Sequence, residues 1–276
     1  MAQLALEPRP YPPRADLRVY TAGARPLSII HSDDAPRVSV VIAAWDEEES
    51  LSYVLPRLPG GLYEVILVDG HSVDRTVEVA QELRPDIRIV EQPGKGKGDA
   101  LRAGFAAARG DIIIAIDADG STDPVEIPAF VGALLDGADY VKGSRFIPGG
   151  GTDDMTLTRK MGNLGLMVLC RVLFGTRYTD LNYGYTGFWT RELHALDLRS
   201  EGFEIETEMN LRAAIARLKV VEVASFEGPR VGGVAHLVPL KDGWRVLMEI
   251  FRQRLRRSEP MLRTGPSYTP EAEQPC

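Results

Sequence analysis

The sequence predicts an α/β protein built on a mainly parallel sheet. Short apolar runs rich in β-branched residues alternate with helical patterns through the middle of the chain, which indicates βαβ units. The run Ile112–Ile116 is aliphatic throughout, as expected for a strand buried on both faces of such a sheet. Helix-start signals support the helical stretches, for example Asp123 followed by Pro124.

The predicted elements follow one another in a regular order. The strands are Val38–Ala44, Tyr63–Val68, Ile87–Val90, Ile112–Ile116 and a weaker Tyr140–Val141. The helices are roughly Glu47–Arg57, Asp74–Leu83, Gly98–Arg109 and Pro124–Leu135. Together they predict an α/β domain that begins near residue 37.

The two ends of the chain differ in composition from this domain. Residues 1–36 hold six prolines without sustained periodicity, and residues 258–276 are rich in Pro, Glu and Ser, so we expect an extended or disordered arm and a disordered tail. Between them, residues 241–257 carry six basic and two acidic residues, with Trp244, Met248 and Phe251 on one helical face. This basic amphipathic helix would either lie on an anionic membrane surface or pack on its own domain or a sister subunit.

The composition of the chain argues against several classes of function and location. The 276 residues carry a net charge of −7, which argues against a general nucleic-acid partner. No apolar stretch is long enough to span a membrane, and the first residues lack the apolar region of a secretory signal. The two cysteines, Cys170 and Cys276, fit a reducing compartment. We therefore expect a cytoplasmic protein, with peripheral membrane contact and a homodimer left open.

Polar clusters follow the predicted strands, where parallel α/β sheets bind their ligands. Acidic residues come after the first, second and fourth runs, and a Gly-Lys loop comes after the third, at Gly94–Gly98. Carboxylates that gather at one edge repel each other unless cations join them. A divalent metal and a phosphate-bearing ligand would remove this repulsion.

The pair Asp117 and Asp119 directly follows the buried fourth strand. Two carboxylates at this spacing are suited to Mg²⁺ or Mn²⁺ bridging a diphosphate. The Gly-Lys loop is not a Walker motif, because Lys97 is followed by Gly98 rather than Ser or Thr. It is either a solvated turn or a close approach to a ligand with Lys95 or Lys97 supplying charge.

Several segments together resemble family 2 glycosyltransferases of GT-A fold, a Rossmann-like fold that binds nucleotide-diphosphate sugars. The resemblance covers residues 37–240 and is most specific to dolichol-phosphate mannose synthases and their bacterial polyprenyl-phosphate relatives. The matching segments are Val38–Glu48, Asp69 with Ser72 and Asp74, Gly96–Gly98, Asp117–Asp119, Gly143–Phe146, Asp180 with Gly187 and Phe188, and Gly202–Met209.

The resemblance implies roles for residues at the matching positions. The nucleoside pocket would be lined by Ala44, Asp46, Glu47 and Asp69. Asp117 would contact the ribose or metal, and Asp119 would coordinate the metal. Phosphates of the donor or acceptor would face Arg145 and Arg230, and the sugar and acceptor would border Glu206 and Glu208.

Two positions depart from the family pattern. The usual Lys near the end of the domain is replaced by His236, which is either a metal ligand or phosphate donor, or an ordinary loop histidine. The first cluster reads Ala43–Asp46 and lacks the usual Pro-x-Asn.

The chemistry implied is a metal-dependent, inverting transfer of a hexose from a GDP-mannose or UDP-glucose type donor. The acceptor would be a polyprenyl phosphate or, alternatively, a soluble saccharide or secondary metabolite. A hydroxyl acceptor needs a carboxylate base, for which Asp180, Glu206 and Glu208 are available. Two other classes are less consistent with the sequence. A phosphatase with an aspartyl nucleophile normally carries that residue after its first strand, and a non-catalytic sensor would not need both Asp117 and Asp119.

Overall fold

A computed structural model describes residues 35–153, 155–232 and 239–256, without the side chains of residues 239 and 240. The predicted tail, nearly all of the predicted arm and His236 lie outside the described residues. The described part is organised around a seven-stranded sheet, with a two-stranded ribbon beside it.

The sheet and ribbon contain nine described strands. They are β1 (Val38–Ala44), β2 (Glu64–Asp69), β3 (Arg88–Glu91), β4 (Ile112–Asp117), β5 (Tyr140–Ser144), β6 (Gly151–Thr152), β7 (Thr186–Trp189), β8 (Val220–Ala224) and β9 (Phe226–Glu227). The sheet order is β3-β2-β1-β4-β7-β5-β8, and β6 pairs with β9.

Eight α-helices are described. They are α1 (Glu48–Val54), α2 (Thr76–Leu83), α3 (Lys97–Ala107), α4 (Ile127–Leu135), α5 (Leu157–Phe174), α6 (Leu193–Leu196), α7 (Ile205–Ile215) and α8 (Pro239–Arg256). Short 3₁₀ turns follow α1 and precede α4 and α6.

The prediction of a mainly parallel α/β sheet is confirmed, although β6, β8 and β9 as well as β7 lie outside the predicted strands. The strands β3, β2, β1 and β4 are mutually parallel, as predicted, and β1 has the predicted bounds. Strand β7 was not predicted, and it runs antiparallel between β4 and β5. The sheet is therefore mixed, and β7 joins a parallel first half to the parallel pair β5 and β8.

Apolar side chains fill both faces of the sheet. One cluster packs α4 against β1, β2 and β4, and another packs α3 and α7 against the opposite face. A third cluster lies under α5 and α8 and includes Cys170, Leu211, Val246 and Ile250. Among the described residues, no helix is long and apolar enough to cross a membrane.

Candidate active site

The candidate site lies at the carboxyl edge of the parallel half-sheet. Here the pairing register places Asp69 opposite Ala44 and Asp117 opposite Ala43. Three of the predicted site residues thus share one rim because their strands end together. Ligands of parallel α/β sheets bind at such an edge.

Lys97 joins two distant acidic residues at this edge. Its Nζ lies 2.5 Å from Asp117 Oδ1 and 2.6 Å from Glu206 Oε1, although Glu206 is 109 positions away along the chain. Burial lowers the pKa of Lys97, but the two carboxylates more than offset this, and its pKa lies above the ordinary value. Burial also raises the pKa of Glu206. The ammonium is therefore retained as a fixed cation between the two acids.

Three polar side chains of this cluster pack closely against the backbone of Gly184. A Cβ at Gly184 would lie 2.8 Å from Asp117 Oδ2, 2.9 Å from Glu206 Oε1 and 2.9 Å from Lys97 Nζ. These separations are shorter than normal van der Waals contact, so any larger residue would displace the polar groups. A glycine at this position therefore lets two carboxylates and an ammonium approach the backbone.

Arg230 forms a second cationic cluster at the same edge. Its guanidinium pairs with Glu47 and, at 3.2 Å, with Asp119 Oδ2. The other oxygen of Asp119 accepts hydrogen bonds from Ser121 N at 3.0 Å and Ser121 Oγ at 2.7 Å. Burial raises the pKa of Glu47. Arg230 thereby holds the second aspartate of the predicted metal pair.

The other residues predicted to contact the nucleotide line the loops after β1, β2 and β3. Asp46 has a positive φ of 55° and accepts a hydrogen bond from Val73 N, so it ties the first loop to the second. The carboxylate of Asp69 accepts a hydrogen bond from Ser72 N. Ala44 is buried at the end of β1, and Lys95 is exposed. Their contacts with a nucleoside or diphosphate stay predictions.

Arg145 and Asp180 lie in a buried ion network rather than on the open rim. Asp180 accepts from Arg145 Nε at 2.6 Å and from Nη2 at 2.8 Å, while Glu227 accepts from Nη1 at 2.9 Å. Burial raises the pKa of Asp180, but hydrogen bonds from Arg145 outweigh this and the net pKa lies below the ordinary value. The geometry favours a positioning role for both residues. The expected contact of Arg145 with a phosphate and the role of Asp180 as a base stay predictions.

Glu208 is also occupied by protein partners. Its carboxylate is fully buried and accepts hydrogen bonds from the backbone N–H groups of Arg199 and Ser200, at 2.9 and 2.7 Å. Gln253 and Arg256 of α8 donate to its other oxygen at 3.0 and 2.9 Å. This arrangement fixes α8 to the loop that precedes α7. The predicted contact of Glu208 with sugar or acceptor is not tested by the structure.

The donor set at the rim fits a divalent cation that binds together with a diphosphate. Asp117 and Asp119 offer hard carboxylate oxygens, and both side chains are partly exposed at the rim. Within the described ranges, no group of three or more Asp, Glu, His or Cys side chains is arranged to hold a metal by itself. Mg²⁺ commonly binds through one or two carboxylates and completes its shell with substrate phosphates and water. The two aspartates fit that mode.

Sequence reasoning missed Gly184 and Glu227. Gly184 stands between two tyrosines directly before β7, and a small residue in such a run was the available signal. Glu227 had no signal, since its partner Arg145 is 82 positions away.

The fold and this rim define a GT-A glycosyltransferase. Glucosyl-3-phosphoglycerate synthase from Mycobacterium tuberculosis, solved with Mn²⁺, UDP-glucose and phosphoglyceric acid, superposes with a TM-score of 0.66. The match covers 86% of this chain and 88% of that one at 23% identity, and it therefore shows the fold. The sequence profile of glycosyl transferase family 2 matches residues 39–199, more than half of the chain. The chain belongs to this family, and it is a glycosyltransferase, as the sequence motifs predicted.

Two relatives within the family are similar in sequence to this chain. An undecaprenyl-phosphate mannosyltransferase of Micrococcus luteus is 34% identical over 199 residues, which cover 68% of this chain and 82% of that protein. A dolichol-phosphate mannosyltransferase of Pyrococcus furiosus is 31% identical over 211 residues. That match covers 73% of this chain and 59% of the archaeal protein, so this chain spans only part of the archaeal relative's length.

Replacing Gly184 with alanine is expected to slow glycosyl transfer about tenfold while leaving the fold intact. The new methyl group would push apart the flexible ends of Asp117, Glu206 and Lys97 rather than any backbone. The melting temperature should change by only a few degrees. Gly132→Ala is the matched control, because a Cβ there meets nothing within 4 Å. Wild-type turnover in Gly184→Ala would show that the close packing of these side chains at Gly184 is not needed for transfer.

Proposed function

We propose that this chain transfers a hexose from a nucleotide-diphosphate sugar, of the GDP-mannose or UDP-glucose type, to a polyprenyl phosphate. Mg²⁺ or Mn²⁺ would be held by Asp117 and Asp119. The observation that carries the proposal is the meeting of these two aspartates with Lys97 and Arg230 at one sheet edge. The two carboxylates could bind a divalent cation, and the two basic side chains could bind the diphosphate that the cation accompanies.

The residues at the rim would have different roles in glycosyl transfer. When bound, the divalent cation would act as a Lewis acid that stabilises the charge on the departing diphosphate. Lys97 and Arg230 each lie against a metal-site carboxylate, so a small side-chain movement would let them donate to phosphate oxygens instead. Such donors, already in place, lower the barrier because they need little rearrangement as charge develops. We infer a single displacement with inversion.

A phosphate acceptor fits the position of the carboxylates. A phosphate monoester is already anionic near neutral pH, since its second pKa is about 6. It therefore needs cations near its oxygens more than a base. Glu206, the carboxylate nearest the rim on α7, is held by Lys97 and has a raised pKa because of burial. The Micrococcus and Pyrococcus relatives, an undecaprenyl-phosphate and a dolichol-phosphate mannosyltransferase, support a polyprenyl phosphate as the acceptor.

The test is a transfer assay with the purified full chain. Nucleotide sugars are first ranked by thermal shift with Mn²⁺, because a ligand at 100 times its Kd stabilises the native state by about 2.7 kcal/mol. The best donor is then incubated with a short-chain polyprenyl phosphate or with soluble hydroxylated acceptors, and products are identified by mass spectrometry. We expect a glycosyl lipid phosphate, and no product after chelation.

Two outcomes would change the assignment. Transfer only to a soluble acceptor would overturn the polyprenyl phosphate and support the saccharide or metabolite alternative. A chain that neither gains stability from any nucleotide sugar nor releases nucleoside diphosphate would overturn the donor class as well. The cytoplasmic location and a homodimer stay predictions.

A further inference from the structure

Helix α5 is apolar on two opposite sides. One side, with Leu166, Cys170 and Leu173, packs into the third apolar cluster. The other side is a stripe at spacings of three and four residues whose members are 54–75% exposed: Leu157, Met161, Leu164, Val168 and Val172. A helix that is apolar all round is normally buried. The exposed stripe of α5 is therefore an apolar surface that no described residue covers.

Helix α8, which packs against the same cluster, repeats this arrangement. Val246 and Ile250 point inward, while the opposite stripe is 44–77% exposed. That stripe consists of Trp244, Met248, Phe251 and Leu255. The two helices also contact each other. We call the surface formed by their two exposed stripes the α5–α8 face.

The charge around the stripes has one sign. The two helices contain eight basic and two acidic residues, a net charge of +6 in a chain of net charge −7. Both acidic residues, Asp242 and Glu249, are buried, whereas Lys160, Arg171 and Arg254 are among the exposed cations. The α5–α8 face therefore presents apolar side chains with cations around them.

We propose that the α5–α8 face docks on the surface of an anionic lipid bilayer. Apolar stripes enter the boundary between head groups and acyl chains, and the surrounding Lys and Arg side chains contact anionic head groups. Trp244 suits that boundary, because tryptophan is enriched at membrane interfaces. The proposal goes beyond the transfer reaction, because the surface of these two helices alone carries it.

A second copy of the chain is a poorer occupant. In a twofold dimer through this face, the same surface of each subunit meets, so exposed cations such as Lys160, Arg171 and Arg254 would oppose their counterparts. The chain ends do not supply the missing charge either. Residues 1–34 contain four basic and four acidic residues, and residues 257–276 contain two basic and three acidic residues. An anionic bilayer offers both the charge and the apolar depth.

The buried sides of α5 and α8 contact segments of the chain that carry candidate-site residues. Asn163 of α5 contacts Asp180 and the backbone of Leu181, close in sequence to Gly184. Gln253 and Arg256 of α8 bind Glu208, two residues from Glu206. If the proposed acceptor is correct, docking would bring the site next to lipid head groups, where a polyprenyl phosphate presents its phosphate.

Sedimentation of the full chain with vesicles tests the proposal. Vesicles of phosphatidylglycerol and phosphatidylcholine in equal parts should bind the chain. Vesicles of pure phosphatidylcholine should bind it about tenfold more weakly. Added salt should also weaken binding to the anionic vesicles. Leu164→Gln and Phe251→Gln should each weaken binding about tenfold. Leu83→Gln on α2, an exposed leucine away from the face, is the control and should bind like wild type. Circular dichroism melts check that all three variants fold.

The outcomes separate this inference from the proposed function. Absence of vesicle binding, or equal binding by Leu164→Gln and wild type, would overturn it. So would light scattering that shows a dimer which Leu164→Gln dissociates. The vesicles contain no polyprenyl phosphate, so their binding says nothing about the acceptor. Transfer to a short-chain acceptor in detergent tests that separately and should persist in Leu164→Gln.

Discussion

Replacing Asp119 with asparagine is expected to lower the rate of hexose transfer by about 10²- to 10³-fold. Asparagine keeps the size of the side chain, and its carbonyl oxygen can still accept the hydrogen bonds that Ser121 donates to Asp119. What is lost is one negative charge at the proposed metal site, together with the ion pair that Asp119 makes with Arg230. The fold should survive, since Asp119 is partly exposed and its backbone carbonyl still accepts from Val231 N.

The measurement is steady-state transfer over a range of Mn²⁺ concentrations. We expect Asp119→Asn to lower kcat and to require more Mn²⁺ for half-maximal rate, with a melting temperature near that of wild type. Asp86→Asn is the control, because its carboxylate pairs at the surface with Arg84 and lies outside the rim. Unchanged turnover in Asp119→Asn, or full activity of wild type after chelation, would contradict the proposed metal role.

The strands of the parallel half-sheet could be predicted because their signal is local. Ile112–Ile116 is a continuous apolar run and Val38–Ala44 is apolar except for Ser39, and burial on both faces favours such runs. The carboxyl edge followed from the same reasoning, and with it the shared position of Asp69 and Asp117. Strand β7 has only four residues and includes Gly187, so no run marked it.

The partners of the site residues could not be predicted, because they come from distant parts of the chain. The Gly-Lys loop suggested a cation, but not that Lys97 would reach Glu206. It does so because Gly98 N and Asp99 N donate to the carbonyl of Glu201, which brings the start of α3 against the loop before α7. Gly96, with a φ of 88°, permits that close approach.

Motif resemblance also could not separate rim residues from buried ones. Arg145 matches a family segment, and Asp180 matches one that is longer here by several residues, yet both lie in the buried network with Glu227. The sequence shows that a residue is charged, but it does not show whether that side chain is buried or exposed. Burial of a charged group requires a partner, and both partners of Arg145 come from elements that meet it only in the folded chain.

Replacing Asp180 with asparagine is expected to destabilise the protein by about 3–5 kcal/mol at neutral pH, because it leaves a buried guanidinium with only one acidic partner. Denaturant unfolding measures this directly. Glu82→Gln is the control, since it removes a solvent-exposed pair with Arg75 and should cost about 0.2–1 kcal/mol.

The contribution of Asp180 to the free energy of unfolding should depend on pH. The folded-state pKa of Asp180 is lowered, so its contribution is present above the unfolded value of about 3.9 and is lost as pH falls further. The stability difference between wild type and Asp180→Asn should therefore shrink in acid. A catalytic base would behave differently: transfer per folded molecule would fall about 10²-fold or more while unfolding changed little. We expect the opposite, because an acid fully buried and bonded twice to Arg145 has no oxygen directed at the rim.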